Sequence, residues 1–262
     1  MTTNVNTFLK KVWEGALDMV LPPACPICGK PVGAGGKEIA GGKDIAGRKE
    51  IAEGVCARCR GRVSYICEPI CLKCGKPIAS ENKEYCADCE TAKHVFDRSV
   101  AVYEYSDSIK NSIYRFKYYN KREYAEYYGR EMAQSTMAYL RQWKPDVIIP
   151  VPIHESKLKV RKFNQAELIA RSLSANTGIP LDCEVLFRVR KTTPMKELNN
   201  ESRRKNLQNA FQAGRKVVRY KKVLVVDDIY TTGATLDACA KILKESGVLE
   251  VYGITLCVGD GF

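Results

Sequence analysis

Residues 223–235, Val-Leu-Val-Val-Asp-Asp-Ile-Tyr-Thr-Thr-Gly-Ala-Thr, carry an apolar β-branched stretch into two carboxylates and then a small, hydroxyl-rich turn. A helix-forming segment, Leu236 to Ser246, follows and is closed by Gly247. A run that is apolar at every position, Val223 to Val226, suits a central parallel strand buried on both faces. Ligands gather at the carboxyl end of such a strand. The turn Thr231 to Thr235 has only small side chains, so a phosphate can reach the backbone N–H groups and hydroxyls while the next helix offers its positive end. Asp227 and Asp228 cannot serve the phosphate. Beside an anion site they suit sugar hydroxyls or a hydrated Mg²⁺. A ribose bearing a 5′-phosphate meets all of these requirements together.

This stretch resembles the PRPP-binding motif of type I phosphoribosyltransferases. The resemblance implies that Asp227 and Asp228 hold the ribose hydroxyls and that Thr231, Thr232, Gly233, Ala234 and Thr235 hold the 5′-phosphate, with magnesium accompanying PRPP.

The N-terminal third adds a second constraint. Nine of the twelve cysteines lie between Cys25 and Cys89, eight of them in four Cys-x-x-Cys pairs: Cys25/Cys28, Cys56/Cys59, Cys71/Cys74 and Cys86/Cys89. The first twenty residues carry Lys10, Lys11, Glu14 and Asp18 where a signal peptide would be uninterrupted and apolar, so a cytoplasmic protein is expected and disulfides are not. Tetrahedral zinc with four sulfur ligands is then the default, giving two structural zinc ions. Cys-Pro-Ile-Cys-Gly-Lys-Pro-Val at 25–32 matches Cys-Leu-Lys-Cys-Gly-Lys-Pro-Ile at 71–78, which makes two tandem ribbons. The repeat favours sequential pairing, 25/28 with 56/59 and 71/74 with 86/89; an interleaved cross-brace is the alternative. All-sulfur sites leave no position open for substrate. A serine at Cys71 is therefore expected to disturb the second ribbon and leave the 223–235 turn formed. Cys67, Cys183, Cys239 and Cys257 read as small buried hydrophobes. Three six-residue copies ending in Ile-Ala across 35–52 read as a ribbon tip without chemistry of its own.

Formal charge is +12; eight thiolates and two Zn²⁺ lower it by four, to +8, so polyanionic partners are expected. No apolar run approaches the ~20 residues that span a bilayer. Apolar residues at helical spacing over 8–21 predict an amphipathic helix. The expected organisation is an N-terminal helix at 1–22, a double zinc ribbon at 23–95 with a mobile insertion at 33–54, and an α/β domain at 96–262. In that last domain strands are expected at Ser99 to Tyr105, Val147 to Pro150, and near 184–189, 223–227 and 249–257, completing one sheet. Helices are expected at Ser108 to Phe116, Glu123 to Arg141 and Gln165 to Ala175, with a basic loop after Pro150.

The succession resembles the ComF family, a double zinc ribbon followed by a phosphoribosyltransferase-like domain with a Rossmann-like parallel sheet. The residues carrying it are the ribbon pairs, Phe116-Lys117-Tyr118, Pro150-Val151-Pro152, Arg161-Lys162-Phe163-Asn164-Gln165, Thr193, Leu198, Arg203, Asn206 and the 223–235 motif. Two departures are Lys162, where the family usually has Gly, and Met195, where it usually has Gln. The resemblance implies a role in natural competence and DNA uptake on incoming single-stranded DNA, with a competence helicase as partner in some systems. As an enzyme, the protein would let a nucleophile attack C1 of PRPP as pyrophosphate leaves. Lys157, Arg161 and Gln165 are candidates for pyrophosphate, and Arg203 for a loop closing over substrate. Alternatives are a nucleotide-salvage or other metabolic transferase, or a non-catalytic nucleic-acid-binding module regulated by PRPP. Tyr114, Phe116, Tyr118, Tyr119, Tyr124, Tyr127 and Tyr128, interleaved with basic residues between Ile113 and Arg130, are either single-strand stacking platforms or half-buried packing.

Overall fold

The computed structural model of the chain describes residues 24–32, 54–192, 207 and 209–259. The helix expected over 8–21, the repeat at 35–52 and Arg203 lie outside the described residues. Met1–Val63 and Ser64–Phe262 form two compact units.

In the first unit, a short helix α1 (Ala57–Arg60) follows Cys56. The Cys25 knuckle closes through Cys25 N–H to Lys30 O at 2.8 Å and Gly29 N–H to Cys25 O at 2.7 Å.

The second unit opens with the other ribbon and its helix α2 (Ala87–Thr91), then alternates strands and helices. These are β1 (Arg98–Glu104), α3 (Asp107–Tyr118), α4 (Tyr124–Trp143), β2 (Val147–Pro150), α5 (Glu155–Arg161) and α6 (Gln165–Thr177). After them come β3 (Leu186–Arg188), β4 (Phe211–Ala213), β5 (Lys222–Tyr230), α7 (Ala234–Glu245) and β6 (Glu250–Val258). The main sheet has the order β1-β6-β5-β2, and every neighbouring pair is parallel. This is the doubly covered α/β sheet expected from the apolar run at 223–226. Val223, Leu224, Val225 and Val226 are all 0–1% exposed, which only burial on both faces allows. Val223 and Val225 share a core with Leu236, Cys239, Ala240 and Leu243 of α7. On alternation Leu224 and Val226 point to the opposite face.

Three expectations change. Residues 184–189 do not join the main sheet: β3 pairs antiparallel with β4 in a separate two-stranded sheet. Its pattern is the reason, since Phe187 is 44% exposed and Val189 50%, so the segment lacks the two buried faces a central parallel strand needs. The basic loop after Pro150 contains a helix, α5, because His154 caps it by accepting the Ser156 N–H at 3.2 Å. Among the leftover cysteines Cys239 and Cys257 are buried, Cys183 is half-buried and Cys67 is exposed. Ile66 pairs its N–H with Val102 O at 3.0 Å and turns inward, so Cys67 turns out.

Lys162 ends α5 with φ 67°, a left-handed conformation that an L side chain resists. The conformation costs about 1–2 kcal/mol, of which glycine's extra freedom in the unfolded chain takes back about 0.5–1 kcal/mol. Lys162→Gly should therefore stabilise the protein by about 0.5–1 kcal/mol, read as a higher urea midpoint at unchanged slope. An unmoved midpoint would show that contacts of the lysine offset the strain.

Candidate functional site

Because β1, β2 and β5 run parallel, the segments that follow them leave the sheet at one edge. β2 exits into Val151 to His154 and α5, β1 into α3, and β5 into the turn 231–233 before α7. The strand β5 is longer than the apolar run suggested, and Asp227 lies within it, in register with Thr255 of β6. Successive residues face opposite ways, so Asp227 and Asp228 present their carboxylates on different sides of one strand end. Asp227 Oδ1 accepts the Asp228 N–H at 2.8 Å. Burial, reinforced by the neighbouring Asp228 charge, pushes the Asp227 carboxyl up to about 7.

Asp228 is met by Lys117, whose Nζ lies 2.6 Å from Oδ2 with both side chains largely buried. Lys117 sits in the last turn of α3, a position no sequence spacing ties to residue 228. Lys157 is half-buried and is held below the usual lysine range, first by burial and then by Arg188, Arg161 and Lys117. Arg188 is lowered in turn, first by burial, and feels Asp227 and Arg161. Four cations thus crowd two carboxylates. Lys157 and Arg161 were expected here; Lys117 and Arg188 were not among the expected contacts.

The Phe-Asn-Gln run explains its own local structure. Phe163 packs on Phe116, with ring centroids 5.7 Å apart. Asn164 caps α6 by accepting the Ala166 N–H at 3.2 Å, and its Nδ2 donates to Val151 O at 3.0 Å, tying α6 to the exit of β2. Gln165 is 1% exposed, and its Oε1 accepts from Arg161 at 3.1 Å. Gln165 Nε2 is buried with no protein partner.

Thr231, Thr232, Gly233 and Thr235 line one open cleft together with Asp227 and Val151. Gly233 has φ 75° and caps α7 without a side chain, so the helix's first N–H groups are left to the cleft. Thr232 Oγ1 is also buried without a partner. An orphaned buried hydroxyl in the same cleft as Asp227 marks a cradle for a polar ligand.

The cysteines gather as two sets, Cys25/Cys28/Cys56/Cys59 and Cys71/Cys74/Cys86/Cys89, each with all sulfurs within 4.8 Å. Pairing is sequential, so the cross-brace is set aside. Cys28 and Cys56 Sγ are 3.8 Å apart, and Cys74 and Cys86 Sγ are 3.6 Å apart. A tetrahedron with Zn–S bonds of 2.3 Å has edges of about 3.8 Å. Both sets fit structural zinc. Lys76, buried beside the second set and bonded to Asp88 at 2.7 Å, offers a cation to the negative sulfur cage.

A closed all-sulfur double ribbon and a parallel sheet ending in an acidic pair and a small-residue turn define a zinc-ribbon protein with a phosphoribosyltransferase-type domain. Residues 45–90 match the family described as double zinc ribbon domain, and residues 163–260 match phosphoribosyl transferase domain. Competence protein F of Haemophilus influenzae is 31% identical over 182 residues, covering 65% of this chain and 78% of that protein. DNA utilization protein YhgH of Escherichia coli K12 is 29% identical over 175 residues, covering 66% and 77%. Competence protein ComFC of Bacillus subtilis is 28% identical over 168 residues, covering 62% and 67%. The chain belongs to the ComF family. Among the described residues no helix is long and apolar enough to cross a membrane.

Metal analysis of the purified protein should find about two zinc ions per chain. An iron-sulfur chromophore, or no metal in a folded protein, would remove the ribbon assignment.

Proposed function

We propose that the protein binds PRPP with Mg²⁺ at the 227–235 edge and acts in natural competence on incoming single-stranded DNA. Asp227 and Asp228 take the ribose hydroxyls, and Thr231, Thr232, Gly233, Ala234 and Thr235 take the 5′-phosphate. Lys157, Arg161 and Gln165 face pyrophosphate, joined by Lys117 and Arg188, and Arg203, outside the described residues, stays a substrate-binding candidate on its sequence alone.

One arrangement carries the proposal: Lys117 pairs with Asp228 at 2.6 Å beside a Lys157 that burial, then Arg188, Arg161 and Lys117, hold below the usual lysine range, while burial raises the Asp227 carboxyl next to them. An arrangement so strained without ligand is relieved by one that brings a multiply charged anion and hydroxyl or metal partners together. PRPP with magnesium has both. If transfer occurs, the protein's share is positioning: the acidic pair fixes the sugar, the turn fixes its phosphate, and the cations stabilise the leaving charge. Magnesium would be held by the acidic pair and the pyrophosphate and would neutralise charge there.

The DNA part has its own support. The aromatic run divides cleanly: Phe116, Tyr124, Tyr127 and Tyr128 are core, whereas Tyr114, Tyr118 and Tyr119 are 50, 51 and 63% exposed. The exposed three lie together, with Tyr114 4.9 Å from Tyr118 and 6.0 Å from Tyr119. Arg161 stands over Tyr118 at 5.2 Å and donates to its hydroxyl at 3.2 Å. A stacking platform therefore adjoins the residues assigned to pyrophosphate, where an acceptor base or a strand end would arrive.

Replacing Asp227 and Asp228 together by Asn should weaken Mg²⁺-PRPP binding by about 1–3 kcal/mol for lost charged hydrogen bonds. Asp227 has a raised folded pKa, and PRPP favours its ionised form. Wild-type binding should therefore release protons and tighten as pH rises through about 7, and Asp227→Asn should flatten that slope. Unchanged affinity of the double variant in a calorimetric titration would mean that PRPP is not the ligand.

Tyr118→Ala with Tyr119→Ala should lower single-strand affinity at moderate salt by roughly 1–3 kcal/mol per stacked base. PRPP binding should stay close to wild type. Single-strand binding as in wild type would leave the exposed tyrosines without a nucleic-acid role.

A further inference from the structure

Behind the 231–235 turn stand residues given no part in the ligand reading above. A Cβ on Gly233 would stand 2.6 Å from Tyr230 Oη and 2.8 Å from His94 Cε1. His94 belongs to the segment between α2 and β1, its side chain is 1% exposed, and its Nδ1–H donates to Asp237 Oδ2 at 2.8 Å. Asp237 Oδ1 accepts the Val95 N–H at 2.7 Å. Asp237 lies in the first turn of α7 and donates its own N–H to Gly233 O at 2.8 Å. The imidazole therefore clasps both the turn and the first turn of the helix that follows it.

The clasp continues into the second ribbon. His94 packs against Phe96 with the rings tilted and centroids 4.8 Å apart, and Phe96 meets Tyr230 edge-on at 6.2 Å. Lys73, inside the Cys71/Cys74 knuckle, stands 5.3 Å over the Phe96 ring, and its carbonyl accepts the Ser99 N–H of β1 at 2.8 Å. Gly75 of that knuckle lies so close to β1 that a Cβ would be 2.8 Å from Ser99 O. Cys71, Cys74, Phe96, Tyr230 and Ala234 belong to one core. The independence of ribbon and turn expected from sequence is therefore revised: side chains pack without a break from the sulfur site to Gly233.

We propose that His94 is a positioning residue for the 231–235 turn, and that through it the Cys71/Cys74/Cys86/Cys89 site sets how well the turn holds a phosphate. This rests on the reading of the turn as a phosphate site. A buried imidazole between a ribbon and a helix start fixes the turn's shape before ligand arrives, so the orphan N–H groups need no reorganisation on binding. Coupling of this kind is reciprocal: a phosphate that prefers the clasped turn must also favour the intact ribbon.

The test uses full-length, zinc-loaded protein and two probes by calorimetry: ribose 5-phosphate for the turn, and magnesium pyrophosphate for the cation cluster. His94→Phe keeps the ring volume and removes the donor; His94→Asn keeps a donor at the Nδ1 place. His94→Phe should weaken ribose 5-phosphate about tenfold, the size of one lost hydrogen bond to a charged group, leaving pyrophosphate within about twofold. His94→Asn should recover most of the loss. Gly233→Ala separates the two readings. If it binds ribose 5-phosphate like wild type, the turn is not the phosphate site. If it abolishes binding while His94→Phe binds normally, or if His94→Phe weakens both probes alike, the positioning role falls.

Should His94→Phe fold poorly, wild-type protein still decides. Saturating ribose 5-phosphate should slow the loss of one of the two zinc ions to a chromophoric chelator, and Asp237→Asn should abolish the protection. Equal zinc release with and without the ligand would overturn the coupling.

Discussion

Everything at the ligand edge depends on β5 being held between two parallel neighbours. Pairing with β2 on one side and β6 on the other satisfies both edges of β5, and the side chains packed over the sheet leave Val223 to Val226 no solvent on either face. Register then decides the chemistry. A slip of one residue would exchange the faces of Asp227 and Asp228, separating Asp228 from Lys117 and turning Asp227 away from the cleft. The hydrophobic pattern and the position of the acidic pair are thus one specification.

The electrostatics of the site follow from that placement. Two carboxylates at a strand end would repel each other, and the protein answers with one short ion pair at Asp228 and a raised Asp227. Around them burial, and then the charges of Arg188, Arg161 and Lys117, hold Lys157 below the usual lysine range, and burial lowers Arg188 as well. Such crowding costs stability in the free protein and returns it when an anion enters.

Legibility from the sequence divided along physical lines. β5, its turn and α7 were readable because apolar run, acidic pair and small residues are contiguous. The cysteine sets were readable because metal geometry demands a fixed spacing, although only the structure separated sequential pairing from the cross-brace. Boundaries and partners set by packing were not readable. The β3–β4 pair looked like a sheet strand until its exposed Phe187 and Val189 were placed. Lys117 and Asp228 are remote in sequence, as are His94 and Asp237, and nothing in either segment alone names the other. The tyrosines held two roles in one stretch, since the turn at Asn120, with φ 52°, separates the exposed cluster ending at Tyr119 from the core residues beginning at Tyr124.

The shared core of the second ribbon and the sheet bears on where the catalytic-type domain begins. Ser64 to Ile66 pair with β1, where Glu104 donates its N–H to Ser64 O at 3.0 Å, and the Tyr65 hydroxyl donates to Glu131 Oε2 of α4 at 2.5 Å. A fragment cut at residue 96, the border expected from the sequence, loses an edge partner of the sheet, the ring that packs behind Gly233 and the knuckle against Ser99. The compact unit that holds the sheet starts at Ser64 and takes one ribbon with it. In this chain a zinc knuckle has become part of the wall of an α/β fold.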